Sequence, residues 1–572
     1  MPSSFSPPSR FNRLQPFVIA LTPFLFFLAH AALFGDWLID DAGISFAYAR
    51  NFIHGHGLVS QPGVAPVEGF SCPTWTLLIS PFFMGDPPHP ALVIKIFSCF
   101  WIFLCFLTVT KTCFLLFPQK WLAGWTAFSA LTILSFNTSF VVWTISGLEN
   151  PLYAALCSLY VFFSVAYATG PEKKGRMSAL SCGIICALMA LTRPEGILFA
   201  LAFPVIAGIS FLRNSGPWKI IVKNTCLFGG SLMSPLFIYM LFRWVYFKDI
   251  MPNTFYAKGG PSFAAALHLL SPPWQSMQAT FTLFSAAFSW MAGLIMIFLT
   301  GMCFHLLFFR TKSSKTILLI PFVGVSWAVF CLLPPDWMGE FRFANLFYLL
   351  MPLLFFTCVA ELFSDSFNQR FWQKALLSGV TLLVAIQSLM TYSPRSGRFS
   401  TQPTVPFKVI ARRYAVKFND YADRLNTGAT TFLCPDLGGA LYFSRHRIYD
   451  LGGLCDKTIA RCFRRRDYAA VADYILDDLQ PIFIHMHEVW SVKSGLFYDE
   501  RFRERYAVLT ETKSEWAAKF GYDEVCDGDY VLKSALAEPM LQRVLAGDFS
   551  AIPIRQTLDG CKPFPYSPTA AP

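Results

Sequence analysis

Stretches of about 20 mostly apolar residues, each long enough to cross a bilayer as a helix, recur along this chain and leave it few folds to choose from. Roughly eleven can be marked out, at 15–34, 91–117, 121–143, 150–168, 177–193, 195–212, 220–246, 280–309, 316–333, 345–361 and 375–391. With 54% hydrophobic and only 14% charged residues over 572 positions, the chain is too apolar for an ordinary soluble protein. The expected fold class is a polytopic α-helical membrane protein. Charge collects at the other end of the sequence. From Tyr392 onward lie 24 of the 46 basic and 22 of the 35 acidic residues, so a transmembrane domain, 1–391, should be followed by a water-soluble domain, 392–572. That tail reads as mixed α/β, with β-like runs at Thr430–Cys434, Pro481–His485 and Tyr530–Leu532 and a helical run at Tyr468–Leu479.

Lys and Arg in short loops should gather on the cytoplasmic side of a membrane. Here they occupy alternate connections: Arg10 and Arg13; Lys120; Lys173, Lys174 and Arg176; Arg213 and Lys219; Arg310, Lys312 and Lys315; Arg370 and Lys374. This alternation predicts a cytoplasmic N-terminus, and an odd number of spans then puts the tail outside. The first span has no small-residue cleavage site after it and reads as retained. The net charge of +11 is mostly explained by these loops, with no basic, aromatic-interleaved groove, so nucleic-acid binding is not indicated. Sixteen cysteines form no CxxC pairs and no Cys/His clusters at metal spacing. Cys434, Cys455, Cys462, Cys526 and Cys561 lie in the tail, where an oxidising compartment would permit disulfides, with Cys72 as a partner for an odd one.

The polar residues that composition does not explain fall on the outer side of this topology. Directly after the first span come Asp40 and Asp41, then a helical run, Ala42–Ile53, on which Asp41, Ser45 and Tyr48 share a face while Asp40 points about 100° away. Gly55, Gly57, Pro62 and Gly63 break that helix into a loop carrying His54, His56 and Glu68, the two histidines reading as local hydrogen-bonding groups. Further outer segments hold Glu149 (SGLEN), Arg193 and Glu195 (TRPEG), Asn253, Tyr256 and Lys258 (MPNTFYAKGG) and Arg342 (DWMGEFRFANLFY). Ionisable groups at the ends of membrane helices are costly unless paired or facing water, which makes them functional candidates. Each also has a structural reading: Asp40 and Asp41 as helix cap and first-turn acid, Glu149 as a cap, Arg193 with Glu195 as an interhelical clamp, and Lys258 and Arg342 as side chains snorkelling to headgroups.

At these positions the sequence resembles the GT-C superfamily of membrane glycosyltransferases, whose shared feature is an acidic pair in the first outer loop. DDAGISFAYARNFIHGHGLVSQPGVAPVEGF, SGLENPLYAAL, LTRPEGILFALA, PNTFYAKGG and DLGGALYFSRHRIYDLGGLCD are similar, in order, to the terminal arabinofuranosyltransferases of mycobacterial cell walls. Gly43 stands where those relatives carry a larger, often aromatic residue, and Cys72 follows Ser71 where they tend to have Thr-Asn. The resemblance implies a GT-C-like fold of about 11 transmembrane helices and an inverting transfer of a sugar, such as the pentofuranose arabinose, from a polyprenyl-phosphate donor. The acceptor would be a hydroxyl of a glycan or lipid, on the outer face of the bacterial cytoplasmic membrane with the tail periplasmic.

In that scheme a carboxylate removes the acceptor proton; Asp40 is the candidate base with Asp41 orienting, or the reverse. Lys258, Arg342 and Arg193 would stabilise the departing lipid phosphate. Tyr48, Glu68, Glu149, Glu195, Asn253 and Tyr256 would support the substrates. No cofactor is required, although Asp40 and Asp41 with Glu68 could hold a divalent metal. Arg461, Arg464, Arg465 and Arg466 offer the tail a means of binding the acceptor. The competing readings are a lipid-linked sugar transporter or flippase, which would place charge through the bilayer midplane in paired repeats, and a non-catalytic envelope-assembly protein.

Overall fold

A computed structural model describes residues 10–87, 89–170, 172–214, 217–258, isolated positions between 278 and 302, 314–333, 338–364 and 371–549. The chain is a multi-pass membrane protein with a small mixed sheet near its C-terminus. It divides into two compact units: Met1–Asp36, Ile94–Tyr239 and Phe263–Thr404 form the first, and Trp37–Val93, Met240–Ser262 and Val405–Pro572 the second. The change of unit at Thr404 falls after the expected boundary at 391, which lies inside the 31-residue helix Phe371–Thr401. The second unit also takes in the first loop and the segment after Tyr239.

In the first unit, apolar sequence and helix length agree. Among the described residues, Leu14–Ala32, Ala91–Leu116, Asn150–Thr169, Gly175–Thr192, Pro194–Arg213, Trp218–Phe247, Arg342–Phe363 and Phe371–Thr401 are long and apolar enough to cross a membrane. The expected span at 316–333 corresponds to a shorter apolar stretch, Thr316–Leu332, and the one at 280–309 lies mostly outside the described residues. The expected single span at 121–143 is instead two helices, Lys120–Phe136 and Thr138–Thr144, meeting at 77°. Asn137 causes the break. Its backbone leaves the helix at ψ 107°, its side-chain oxygen accepts the Phe140 N–H and so starts a new helix, and its amide donates to the Tyr392 hydroxyl at 3.0 Å. Short polar side chains join these helices, as packing between membrane helices favours: Ser129 to Thr381 at 2.7 Å, Trp125 Nε1 to Thr381 at 2.9 Å, and Thr138 to Ser396 at 2.9 Å.

In the second unit, five strands order as β2-β1-β3-β5-β4: β1 (Thr431–Cys434), β2 (Arg447–Asp450), β3 (Phe483–Met486), β4 (Tyr506–Lys513) and β5 (Cys526–Leu532). The first three run parallel and the last two antiparallel. Three strands meet the β-like runs of the sequence. β2 and β4 do not, because Arg447–Asp450 is short and half polar and Tyr506–Lys513 ends in exposed polar residues. On one face of the sheet, where Leu433, Ile484 and Tyr530 are in register, they are buried together with Ile475 and Phe502. Gln61, from the first loop, covers the outer edge of β2: its amide donates to the Ile448 carbonyl at 2.8 Å and accepts the Ile448 N–H at 2.9 Å. The cysteines of the described residues are free thiols, and Cys561 lies outside those residues.

His446, buried just before β2, fixes its tautomer through its partners. Nε2 donates to the Phe418 carbonyl at 3.1 Å, and Nδ1 accepts the Thr430 N–H at 3.2 Å. Burial pushes its pKa down to about 4 from 6.5, so the unfolded chain binds the proton first. The stabilisation is therefore complete above pH 6.5 and is lost as pH falls towards 4, by up to about 3 kcal/mol. The apparent melting temperature should fall between pH 7 and pH 5, and His446→Gln, which keeps one donor and one acceptor without titrating, should show a smaller fall.

Candidate active site

Leu38, Ile39 and Asp40 leave the first helix extended and pair with Val405–Phe407: Phe407 N–H donates to Leu38 O at 2.9 Å and Asp40 N–H to Val405 O at 3.0 Å. This fixes the acidic pair at the start of the Ala42–Ile53 helix. The structural reading of that pair, cap plus first-turn acid, is not what the geometry gives, because neither carboxylate caps the helix it precedes. Asp40 is buried, at 4% exposure, and holds another helix. Its Oδ2 and Oδ1 accept the backbone N–H groups of Gly438 and Gly439 at 3.0 and 2.7 Å, the first residues of Gly438–Phe443. Burial, together with nearby Asp436 and Asp41, pushes the Asp40 carboxyl well up, against the pull of those two amides.

Asp41 differs in both respects. It is half-buried, and its carboxylate makes no hydrogen bond among the described residues. An unsatisfied carboxylate reachable by solvent can accept a hydroxyl proton; one with both oxygens filled by buried amides is poorly placed to do so.

Glycines allow this close approach. A Cβ on Gly43 would lie 2.6 Å from the Gly438 carbonyl and from the Phe407 ring, and one on Gly438 would overlap the Asp40 carbonyl oxygen. Position 43 therefore has no room for a side chain, because another backbone occupies the space. The remaining support residues of this unit hold the loop. Tyr48 donates to Val67 O at 2.6 Å and accepts the Gly69 N–H at 3.1 Å. Glu68, nearly fully buried, receives both Arg243 Nε at 2.6 Å and a second Arg243 nitrogen at 3.1 Å, so its oxygens are taken. Asp40, Asp41 and Glu68 do not form a metal-binding group, and no cluster of three such ligands occurs among the described residues. Asn253 donates to the carbonyls of Gly453, Leu454 and Asp456, and Tyr256 donates to Asp249 at 3.0 Å. Lys258 ends the short Asn253–Ala257 helix, and its exposed ammonium has no partner among the described residues.

Sequence reasoning missed a group in the same unit. Asp436, just after β1, has its Oδ2 3.6 Å from His487 Nε2. His485 Nδ1 lies 2.6 Å from Asp529 Oδ1 across the β3–β5 ladder, where the two residues are in register. Burial raises Asp436 to about 6, with His485 opposing and Asp41 adding to the shift. Burial beside His485 and Arg413 lowers His487 to about 3. The alternation His-Met-His on a β-like run was the available signal, since residues two apart share a face of a strand.

The first unit brings Arg193, Glu195 and Arg342 to a narrow cleft with room for about one water, lined also by Asn150, Tyr153 and Asn345, with apolar walls that include Phe199, Val329 and Phe343. Arg193 bonds Glu149 at 2.7 Å and Glu195 at 2.5 Å, which satisfies the clamp reading; Glu149 makes this pair and no side-chain cap. Arg342 follows a turn in which Gly339, Glu340 and Phe341 all adopt positive φ. That turn is held by Glu340, which accepts from Ser139 and Arg395 through its side chain and from Trp143 Nε1 through its carbonyl. The Phe343 ring lies 5.3 Å from the Arg193 guanidinium and 5.0 Å from that of Arg342. Asn150 Oδ1, the Tyr153 hydroxyl and both polar atoms of the Asn345 side chain are buried without partners. Buried polar atoms left unbonded are costly, and here they lie together along the cleft beside Arg342.

No protein-family model matches the chain, and no curated protein matches it. Solved structures do. ArnT from Cupriavidus metallidurans, bound to undecaprenyl phosphate, aligns at 12% identity over 92% of this chain and 99% of its own, with a TM-score of 0.50. The Archaeoglobus fulgidus oligosaccharyltransferase, tethered through a disulfide to an acceptor peptide containing the NVT sequon, aligns at 11% identity over 87% of this chain and 73% of its own, TM-score 0.53. The fold is of the GT-C type. A second structure of the oligosaccharyltransferase, in complex with Zn and sulfate, aligns at 13% identity and TM-score 0.47 over 75% of this chain, which spans 62% of that chain's length. Within the GT-C fold of this chain, the acidic pair and Lys258 belong to the second unit, and Arg193, Glu195 and Arg342 to the first.

Removing the Asp40 contact should unfold the second unit locally. Asp40→Ala leaves two buried amides without acceptors, and Gly438→Ala forces backbone apart; each should cost at least about 2 kcal/mol. The check is the loss of hydrogen-exchange protection in 438–443 of the purified protein, with Asp41→Ala close to wild type.

Proposed function

We propose that the chain is an inverting glycosyltransferase that moves a sugar from a polyprenyl-phosphate donor to a hydroxyl of a glycan or lipid acceptor. The reaction would take place on the outer face of a bacterial cytoplasmic membrane, with the N-terminus cytoplasmic. The reading draws support from the GT-C fold, from the likeness to ArnT bound to undecaprenyl phosphate, and from the five segments that resemble terminal arabinofuranosyltransferases. The transferred group is then a pentofuranose such as arabinose. The single observation that carries the chemistry is the contrast between Asp40 and Asp41: one is consumed by backbone amides, the other is half-exposed and unbonded.

Asp41 is the general base of this reaction and Asp40 the residue that positions it. The acceptor oxygen attacks the anomeric carbon from the face opposite the phosphate, its proton passes to an Asp41 oxygen, and the bond from carbon to phosphate oxygen breaks. The electron pair leaves with the polyprenyl phosphate. Charge growing on that phosphate calls for preorganised cations, and the candidates are Arg342 in the first unit and Lys258 in the second. Arg193, already shared between two glutamates, contributes mainly by fixing the cleft wall. Asn150, Tyr153 and Asn345 bring unbonded polar atoms to the same cleft, beside Arg342.

Two tests follow. Asp41→Asn should lower turnover by roughly 10²- to 10⁴-fold while melting temperature and donor affinity stay near wild type. Full activity of that variant in purified form would overturn the assignment. Arg342→Ala and Asn345→Ala should weaken binding of polyprenyl-phosphate sugar by about 10-fold or more, the effect of losing a hydrogen bond to a charged group. Titration of the donor against each variant, with expression level as control, reads this directly.

A further inference from the structure

The Trp218–Phe247 helix crosses the membrane, and where it ends another helix, Lys457–Arg465, is fastened across its exit. Lys457 Nζ donates to the Phe247 carbonyl at 2.5 Å, the cation occupying the negative end of the spanning helix. Lys457 and Arg461 lie 3.7 and 3.6 Å from Asp249, two residues beyond the end of that helix. The Arg464 guanidinium sits over the Tyr256 ring at 5.4 Å, and the three Asn253 hydrogen bonds hold the segment just before the basic helix.

Lys457, Arg461 and Arg464 are spaced i, i+4 and i+7, one stripe of the helix, which Arg465 at i+8 extends, and Arg466 follows as the left-handed residue that ends the helix. Beside them the exit of the span is apolar and open: Trp244 is 62% exposed and Ile250 59%. Tryptophan at the end of a membrane helix marks the headgroup layer, so the ties of Lys457 and Arg461 to Phe247 and Asp249 hold the basic stripe at that depth. Asp249 is the one carboxylate within ion-pair reach of the stripe among the described residues, and Arg464, Arg465 and Arg466 are exposed with no acidic partner there.

We propose that this stripe binds the headgroups of anionic phospholipids and so docks the sheet-bearing unit on the membrane surface. The stripe is more basic than its neighbours can neutralise, it lies at the level where lipid phosphates lie, and attraction of clustered Lys and Arg to an anionic leaflet is strong within a Debye length of the surface. The inference does not depend on the transferase reading.

The test uses the full-length protein in nanodiscs of phosphatidylcholine alone and of phosphatidylcholine mixed with phosphatidylglycerol, with hydrogen–deuterium exchange as readout. In the mixed nanodiscs, amides of 457–466 should exchange several-fold more slowly than in phosphatidylcholine. High salt should abolish that difference, and so should the triple variant Arg464→Gln, Arg465→Gln, Arg466→Gln, which spares the two residues tied to Phe247 and Asp249. Unchanged exchange in β1 and β3 verifies that the variant is folded. Equal exchange in the two lipids, or a lipid difference that survives in the triple variant, would overturn the proposal. So would equal protection of detergent-solubilised protein by inorganic phosphate or by a soluble anionic oligosaccharide, because the stripe would then be a general anion or glycan site.

Discussion

The carboxylate of Asp40, filled by the amides of Gly438 and Gly439, is the contact on which the second unit turns. It joins residues that leave the first membrane helix to residues almost 400 positions later, and it leaves Asp41, one residue on, at a fixed place with nothing to bond. A hydrogen bond from an amide to a buried carboxylate is among the stronger ones in proteins. Two such bonds on one side chain set both its position and its orientation. The acidic pair therefore divides its work: one member holds structure, and its neighbour stays available.

That division could not be read from the sequence, although the pair itself could. Asp40 and Asp41 are equivalent as letters, and helical spacing separates their directions without saying which direction meets a partner. The partner is a Gly-Gly pair in the tail, whose own need for glycine arises from backbone contact with Asp40 and Ala411. Long-range packing of this kind has no periodicity to betray it. The membrane helices were legible for the opposite reason, since hydrophobic length is a local property. The break at Asn137 escaped that reading because hydropathy averages over a single polar residue, while its capping hydrogen bond redirects the chain.

The cleft in the first unit follows the same pattern. Arg193, Glu195 and Arg342 stood out as charges at membrane edges, and the structure brings Arg193, Glu195 and Arg342 to one space. Asn150 and Asn345 did not stand out, because an asparagine at the start of an apolar run reads as a helix cap. Their unbonded side chains are visible only once burial is known.

Gln61 closing the edge of β2 has a consequence for how the protein is made. The residue it pairs with, Ile448, is added 387 positions later. At about 5–20 residues per second, translation reaches it some 20–80 s after Gln61 has emerged. Throughout that interval the first loop has no sheet to complete, and Asp40 waits for the amides of Gly438 and Gly439. A chain that stops before the tail therefore lacks every contact by which Gln61 and Asp40 hold that loop in the second unit.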